Sequence, residues 1–135
     1  MNGDVVTRRW ARSPRCVGLA RAELRKALAD WDLASIEDVA ALVLSELLTN
    51  AVVHAHVSPG RKIQTCFRRH EVDGVRIAVD DAYEGLPVRR APGGEGGRGL
   101  VLVDGLADSW GVSDRAGAGK SVWAVLSAPG GKGRA

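Results

Sequence analysis

The hydrophobic period of the chain switches near residue 60, and few architectures tolerate such a switch. Before it, apolar residues recur at helical spacing, with Val17, Leu24, Leu28 and Trp31 in one stripe and Val39, Val43 and Val53 in another. After it the period is two. Ile63, Thr65 and Phe67 alternate with Lys62, Gln64 and Arg68, and Val75, Ile77 and Val79 alternate with Arg76 and Ala78. Asp73-Gly74 between these runs signals a hairpin. A helix pair followed by a hairpin excludes a repeated strand–helix–strand winding. At 135 residues there is room for one well-filled core and not for two. Residues 1–127 read as a single domain and 128–135 as a flexible Gly-rich tail.

The boundaries follow from local chemistry. Val5-Val6-Thr7 predicts a short edge strand, and Ser13 an N-cap with Pro14 at the first helical position. That helix should run to about Ala29 or Trp31. Ser35-Ile36-Glu37-Asp38 resembles a capping box opening a second helix, which should reach about Ala55 before Ser58-Pro59-Gly60. Residues 82–98 read as a loop, and Leu100, Val101, Val103 and Leu106 as a short helix starting after Gly99. Trp110-Gly111-Val112-Ser113, a Gly117-Ala118-Gly119 turn and Val122–Leu126 form a last hairpin. The expected fold is α+β, a two-layer sandwich with helices packed on one face of a mixed β-sheet.

Charge and cysteine content narrow the function. A net charge of +3, spread over Arg8, Arg9, Arg12, Arg15, Lys132 and Arg134, is too weak and scattered for direct nucleic-acid binding. Trp10 alone is flanked by arginines, and one ring is no stacking platform. Cys16 and Cys66 lack metal-ligand spacing and suit buried thiols in a reducing compartment. With no apolar signal core and no run near the roughly 20 residues of a membrane span, a soluble cytoplasmic protein without membrane contact is expected.

The chemistry concentrates in three places. Glu46, Asn50 and His54 stand four residues apart, and at about 100° per residue they share an arc with Val39, Val43 and Val53. Polar groups placed in a buried arc without partners cost roughly 2–7 kcal/mol, so a polar ligand is expected there. Asp81 falls on the same strand face as Val75, Ile77 and Val79; such an Asp serves a ligand or caps a turn. Gly96, Gly97 and Gly99 permit a nest of backbone N–H groups ahead of a helix, and with Arg98 they fit either a phosphate cradle or a surface loop. Two motif matches fail. Gly117-Ala118-Gly119-Lys120-Ser121 lacks the first P-loop glycine, Asp114 standing there, and no helix pattern follows. Gly94-Glu95-Gly96-Gly97-Arg98-Gly99 matches a dinucleotide fingerprint, but no strand abuts it.

Taken together, the order Glu46/Asn50, Asp81, Gly96-Gly97-Arg98-Gly99-Leu100 resembles the ATP-binding fold of gyrase-type ATPases, heat-shock chaperones and histidine kinases. It is most similar to the small bacterial anti-sigma-factor serine/threonine kinases, over about residues 5–127. Glu46–Ala55 looks like their N box, Gly-Gly-Arg-Gly-Leu their second glycine box, and Gly-Lys-Ser-Val-Trp their last strand. The resemblance implies ATP and Mg²⁺ as cofactors. It makes Glu46 the general base, Asn50 the Mg²⁺ ligand and Asp81 the acceptor for the adenine amino group. Gly97, Arg98 and Gly99, with Gly96 and Leu100 beside them, would contact phosphates, and Ser121 would stand near the base. His54 is expected to shape the pocket. In the first glycine box, Asp81-Ala82-Tyr83-Glu84-Gly85, only Asp81 and Gly85 keep the family pattern.

Three functions compete on these residues. The resemblance implies a kinase that phosphorylates an anti-sigma-factor antagonist and sequesters a sigma factor, and it makes a homodimer reasonable. The second is a non-catalytic ATP-binding regulatory module, and the third a weak ATPase coupled to conformational change. Glu46 favours the enzymes, because a pure binder needs no base. No histidine-bearing dimerisation helix or receiver domain is seen, which argues against a sensor histidine kinase.

Overall fold

Two helical stripes and a set of alternating strands each leave one apolar side to cover, and here they cover each other. The computed structural model describes residues 4–11, 13–54, 62–81, 97–114 and 120–128, with the backbone alone at 52–54, 81, 97–100, 114 and 120. In chain order these form β1 (Val5–Ala11), α1 (Arg15–Asp30), a 3₁₀ turn (Ala34–Ile36), α2 (Glu37–His54), β2 (Lys62–His70), β3 (Gly74–Asp81), α3 (Gly97–Leu106), β4 (Ser109–Asp114) and β5 (Lys120–Ser127). The fold is α+β, with the helices on one face of a five-stranded sheet. Ala128, placed by the sequence in the tail, is tied to the sheet, its N–H donating to the Asp73 carbonyl at 2.8 Å.

The strands lie in the order β1-β2-β3-β5-β4, and every neighbouring pair is antiparallel. The mixed sheet expected from the sequence is therefore corrected. Connection through α3 makes β3 and β4 run the same way, but β5 slots between them and restores antiparallel pairing. The period of two holds throughout. Ile63, Thr65, Phe67, Val75, Ile77, Val79, Ala124 and Leu126 are buried, and against them α1 and α2 lay Leu24, Leu28, Val43, Leu44, Leu47 and Leu48. Each fully buried Val, Leu, Ile or Phe side chain among these contributes roughly 1.5–3 kcal/mol. The hydroxyl of Thr65, wholly buried in this core, accepts a hydrogen bond from Trp10 Nε1 at 3.0 Å.

Several element ends differ from expectation, each for a local reason. Pro14 rather than Ser13 caps α1, and Ser13 contributes its carbonyl to the Cys16 N–H at 3.0 Å. Ser35 lies within the 3₁₀ turn, which has no side-chain cap, and α2 opens at Glu37. There Arg25 of α1 hydrogen-bonds Glu37 and lies 3.7 Å from Asp38; the bond to Glu37 holds the guanidinium above its ordinary range. The β2–β3 turn comprises Glu71, Val72 and Asp73, with Glu71 at φ 57°, while Gly74 already belongs to β3. Gly74 is needed for space, since a Cβ there would sit 2.8 Å from the Leu126 carbonyl oxygen. Cys16 and Cys66 are free thiols, and burial raises the Cys16 pKa.

The exit from α1 is under strain that a single substitution would relieve. Asp32 sits at φ 63°, its N–H bonds the Ala29 carbonyl at 3.1 Å, and the Leu33 N–H reaches the Leu28 carbonyl at 2.7 Å. This is a Schellman closure with Asp where glycine is favoured, and Leu28 and Leu33 supply its buried apolar contact. Asp32→Gly should raise the unfolding free energy by about 0.5–1 kcal/mol, since the left-handed conformation costs an L-residue about that much or more. Urea unfolding monitored by tryptophan fluorescence reads this directly, and a lowered midpoint would refute it.

Candidate functional site

Strand register gathers one end of the sheet into a site. Ile63 near the start of β2 pairs with Asp81 at the end of β3, Asp81 pairs with Lys120 at the start of β5, and Lys120 pairs with Asp114 at the end of β4. Seven residues join the end of α2 to β2, whose first residues pair at this end of the sheet. The direction of α3 follows likewise. Its last residue, Leu106, is followed closely by Ser109, whose partner Val125 lies toward the opposite end of the sheet. Ten residues rise about 15 Å along a helix, so the first turn of α3 points back toward Asp81.

That first turn differs usefully from the sequence reading. The helix was expected after Gly99, whereas α3 begins at Gly97, so Gly97, Arg98, Gly99 and Leu100 are its opening residues. The first four N–H groups of a helix have no intrahelical partner and carry the positive end of its dipole. Such a terminus receives phosphate oxygens, and glycines let a ligand approach the backbone closely. Gly85 and Gly96 lie outside the described residues, as do the 55–60 and 115–119 turns.

The rotation of α2 also departs from expectation. Val43 is fully buried, but Val39 is 38% and Leu42 42% exposed, so the arc centred on Glu46 is not the core face. The core face is Ala40, Val43, Leu44, Leu47 and Leu48, and Glu46 and Asn50 stand on its border, half-buried, with Thr49 exposed beyond them. The stronger stripe won the sheet. Even so, among the described residues neither Glu46 nor Asn50 has a hydrogen-bond or ion-pair partner. A half-buried carboxylate and amide one turn apart, without partners among the described residues, can give their hydrogen bonds to a ligand.

Not every expected residue joins this group. Asp81 occupies a register position on the face shared with Val75, Ile77 and Val79, as alternation required. Ser121 pairs with Asp80 and Ser113, which lie on the face turned away from the helices. The position opposite Asp81 belongs to Lys120. Alternation through Lys120, Val122 and Ala124 was the available signal. Lys120 and Ser121 lie in a strand, so the P-loop reading fails structurally as well.

A half-buried carboxylate–amide pair on α2, an Asp at a strand end and a glycine-opened helix are the groups a phosphorylated ligand would need. The chain matches the histidine kinase-like ATPase domain over residues 10–126, and it belongs to that family. Membership carries ATP binding with it. No curated protein matches the chain in sequence. No helix among the described residues is long and apolar enough to cross a membrane.

A site that holds unpartnered polar groups trades stability for binding. Glu46→Leu should therefore stabilise the nucleotide-free protein by about 0.5–2 kcal/mol, as an apolar side chain joins Val39, Leu42 and Val43. Thermal unfolding without nucleotide tests this, and a destabilised Glu46→Leu would mean the carboxylate has a structural partner.

Proposed function

We propose that this protein is an Mg-ATP-dependent serine/threonine kinase of the anti-sigma-factor type, acting on a small antagonist protein and otherwise holding a sigma factor. The observation that carries the proposal is half-buried Glu46 and Asn50, one helical turn apart and without a partner among the described residues, on the helix that leads into the sheet end holding Asp81. Asp81 accepts the adenine amino group, a role suited to an acceptor-only carboxylate. Backbone N–H groups of Gly97, Arg98 and Gly99 receive phosphate oxygens at the positive end of α3. Asn50 offers an amide oxygen, the kind of donor Mg²⁺ takes sparingly alongside substrate phosphates. The bound ion supplies charge neutralisation on those phosphates. Glu46 takes the proton of the acceptor hydroxyl; that oxygen bonds the γ-phosphorus, and the bond to the ADP oxygen breaks.

The second reading is an ATP-binding regulatory module without phosphoryl transfer. The Ala82-Tyr83-Glu84 interruption of the first glycine box favours it. Retention of Glu46 favours the kinase. Titration calorimetry and labelling with γ-³²P-ATP separate the two. Glu46→Gln should keep Mg-ATP affinity within about threefold and lose transfer to antagonist proteins of the same genome by about 10²-fold or more. Asp81→Asn should weaken ATP binding at least about tenfold, because an amide can turn a donor toward the adenine amino group. ATP binding without labelling of any antagonist by the wild type establishes the module. No adenine-nucleotide binding at all refutes both.

A further inference from the structure

The sheet has a second face that the helices leave uncovered, and its chemistry is one-sided. Alternation places Arg9 of β1, Lys62 and Arg68 of β2 and Arg76 of β3 there, against one strand carboxylate, Asp80. Asp80 Oδ2 accepts from Gln64 Nε2 at 3.5 Å, and Gln64 Oε1 accepts from Arg9 Nε at 3.4 Å, so that carboxylate is already engaged. Several cations elsewhere are paired: Arg8 and Lys26 with Glu23, Arg25 with Glu37 and Asp38, Arg69 with Asp4. Arg9, Lys62, Arg68 and Arg76 have no ion-pair partner among the described residues. Between them lies an apolar floor. Ala78 is 3% and Val125 8% exposed, and the Trp123 ring lies across Gly111, where a Cβ would come within 2.8 Å of Cζ2.

We propose that this helix-free face docks an acidic polypeptide segment of a partner protein. Cations without an ion-pair partner among the described residues, set around the half-buried Trp123 ring, match carboxylates flanking an apolar side chain. A second copy of the chain would bring the same cations together, which like-charge repulsion opposes. Base stacking is disfavoured because the one indole among the described residues of this face is committed: Gly111 lies against it, and the Arg76 guanidinium stands 5.2 Å from its centroid, while His70 lies at the far end of β2. The surface faces away from the sheet side that carries Asp81, so it operates independently of nucleotide chemistry.

The test uses the full-length ¹⁵N-labelled protein titrated with a short poly-glutamate peptide at moderate salt. Amide shifts should cluster at Gln64, Cys66, Arg68, Arg76 and Ala78 and at the Trp123 indole, and they should fade as salt rises. The exposed pair Lys62→Glu and Arg68→Glu together should weaken binding by about tenfold or more, with thermal unfolding and Mg-ATP affinity unchanged. Shifts that are absent, or that map to the helical layer, overturn the proposal. So does a single-stranded oligo-dT that binds this face more tightly than the peptide. Wild-type sedimentation as a dimer that the double variant abolishes would assign the face to self-association instead.

Discussion

Helix α2 must lay Ala40, Val43, Leu44, Leu47 and Leu48 on a sheet that offers Ile63, Phe67, Ile77 and Val79, and this single burial sets the helix's rotation. Turning Glu46 inward would lift leucines out, at roughly 1.5–3 kcal/mol each, besides the cost of an unpaired buried carboxylate. Hydrophobic packing therefore fixes a polar row it does not contact. Glu46 and Asn50 are held on the core border, partly dehydrated and close to rigid backbone, which is where electrostatic contacts to a ligand gain strength over those in water.

The sheet does a second job by separating two chemistries. Its period of two sends most apolar residues toward the helices and Arg9, Lys62, Arg68, Arg76 and Trp123 to the other side, residue by residue along the same strands. Insertion of β5 between β3 and β4 brings the start of β5 beside the end of β3, so Lys120 meets Asp81 in register although 39 positions separate them in sequence. The α3 crossover leaves β3 and β4 running the same way, and the first turn of that helix, its positive end, lies away from the β4 start. Topology and electrostatics thus converge on one end of the sheet.

Much of this was legible in the chain. The helix pair, the β2–β3 hairpin, the late helix and the last hairpin follow from spacing, because each element buries one face and the period reports which. The histidine kinase-like ATPase family is confirmed over residues 10–126, in keeping with the order of Glu46, Asn50, Asp81 and the glycine cluster. Element ends were less legible. Ser35 carries cap chemistry, but Leu33 closes α1 through the Asp32 left-handed turn, and the backbone enters a 3₁₀ turn before any Ser35 cap forms. Asp73-Gly74 located the hairpin for a reason other than turn geometry: Gly74 is required by the close approach of β5.

What the sequence determined by itself was local: periodicity, breakers, and the residue types able to hold a nucleotide. Three matters waited for the tertiary structure. The sheet proved wholly antiparallel, because β5 pairs between β3 and β4, a long-range choice that no local propensity dictates. Val39 proved exposed and Val43 buried, because a helical wheel ranks positions only once a partner surface selects the buried arc. Lys120, not Ser121, faces Asp81 across the strands, because a shift of one residue moves a side chain to the other face of a sheet and register is set by long-range pairing.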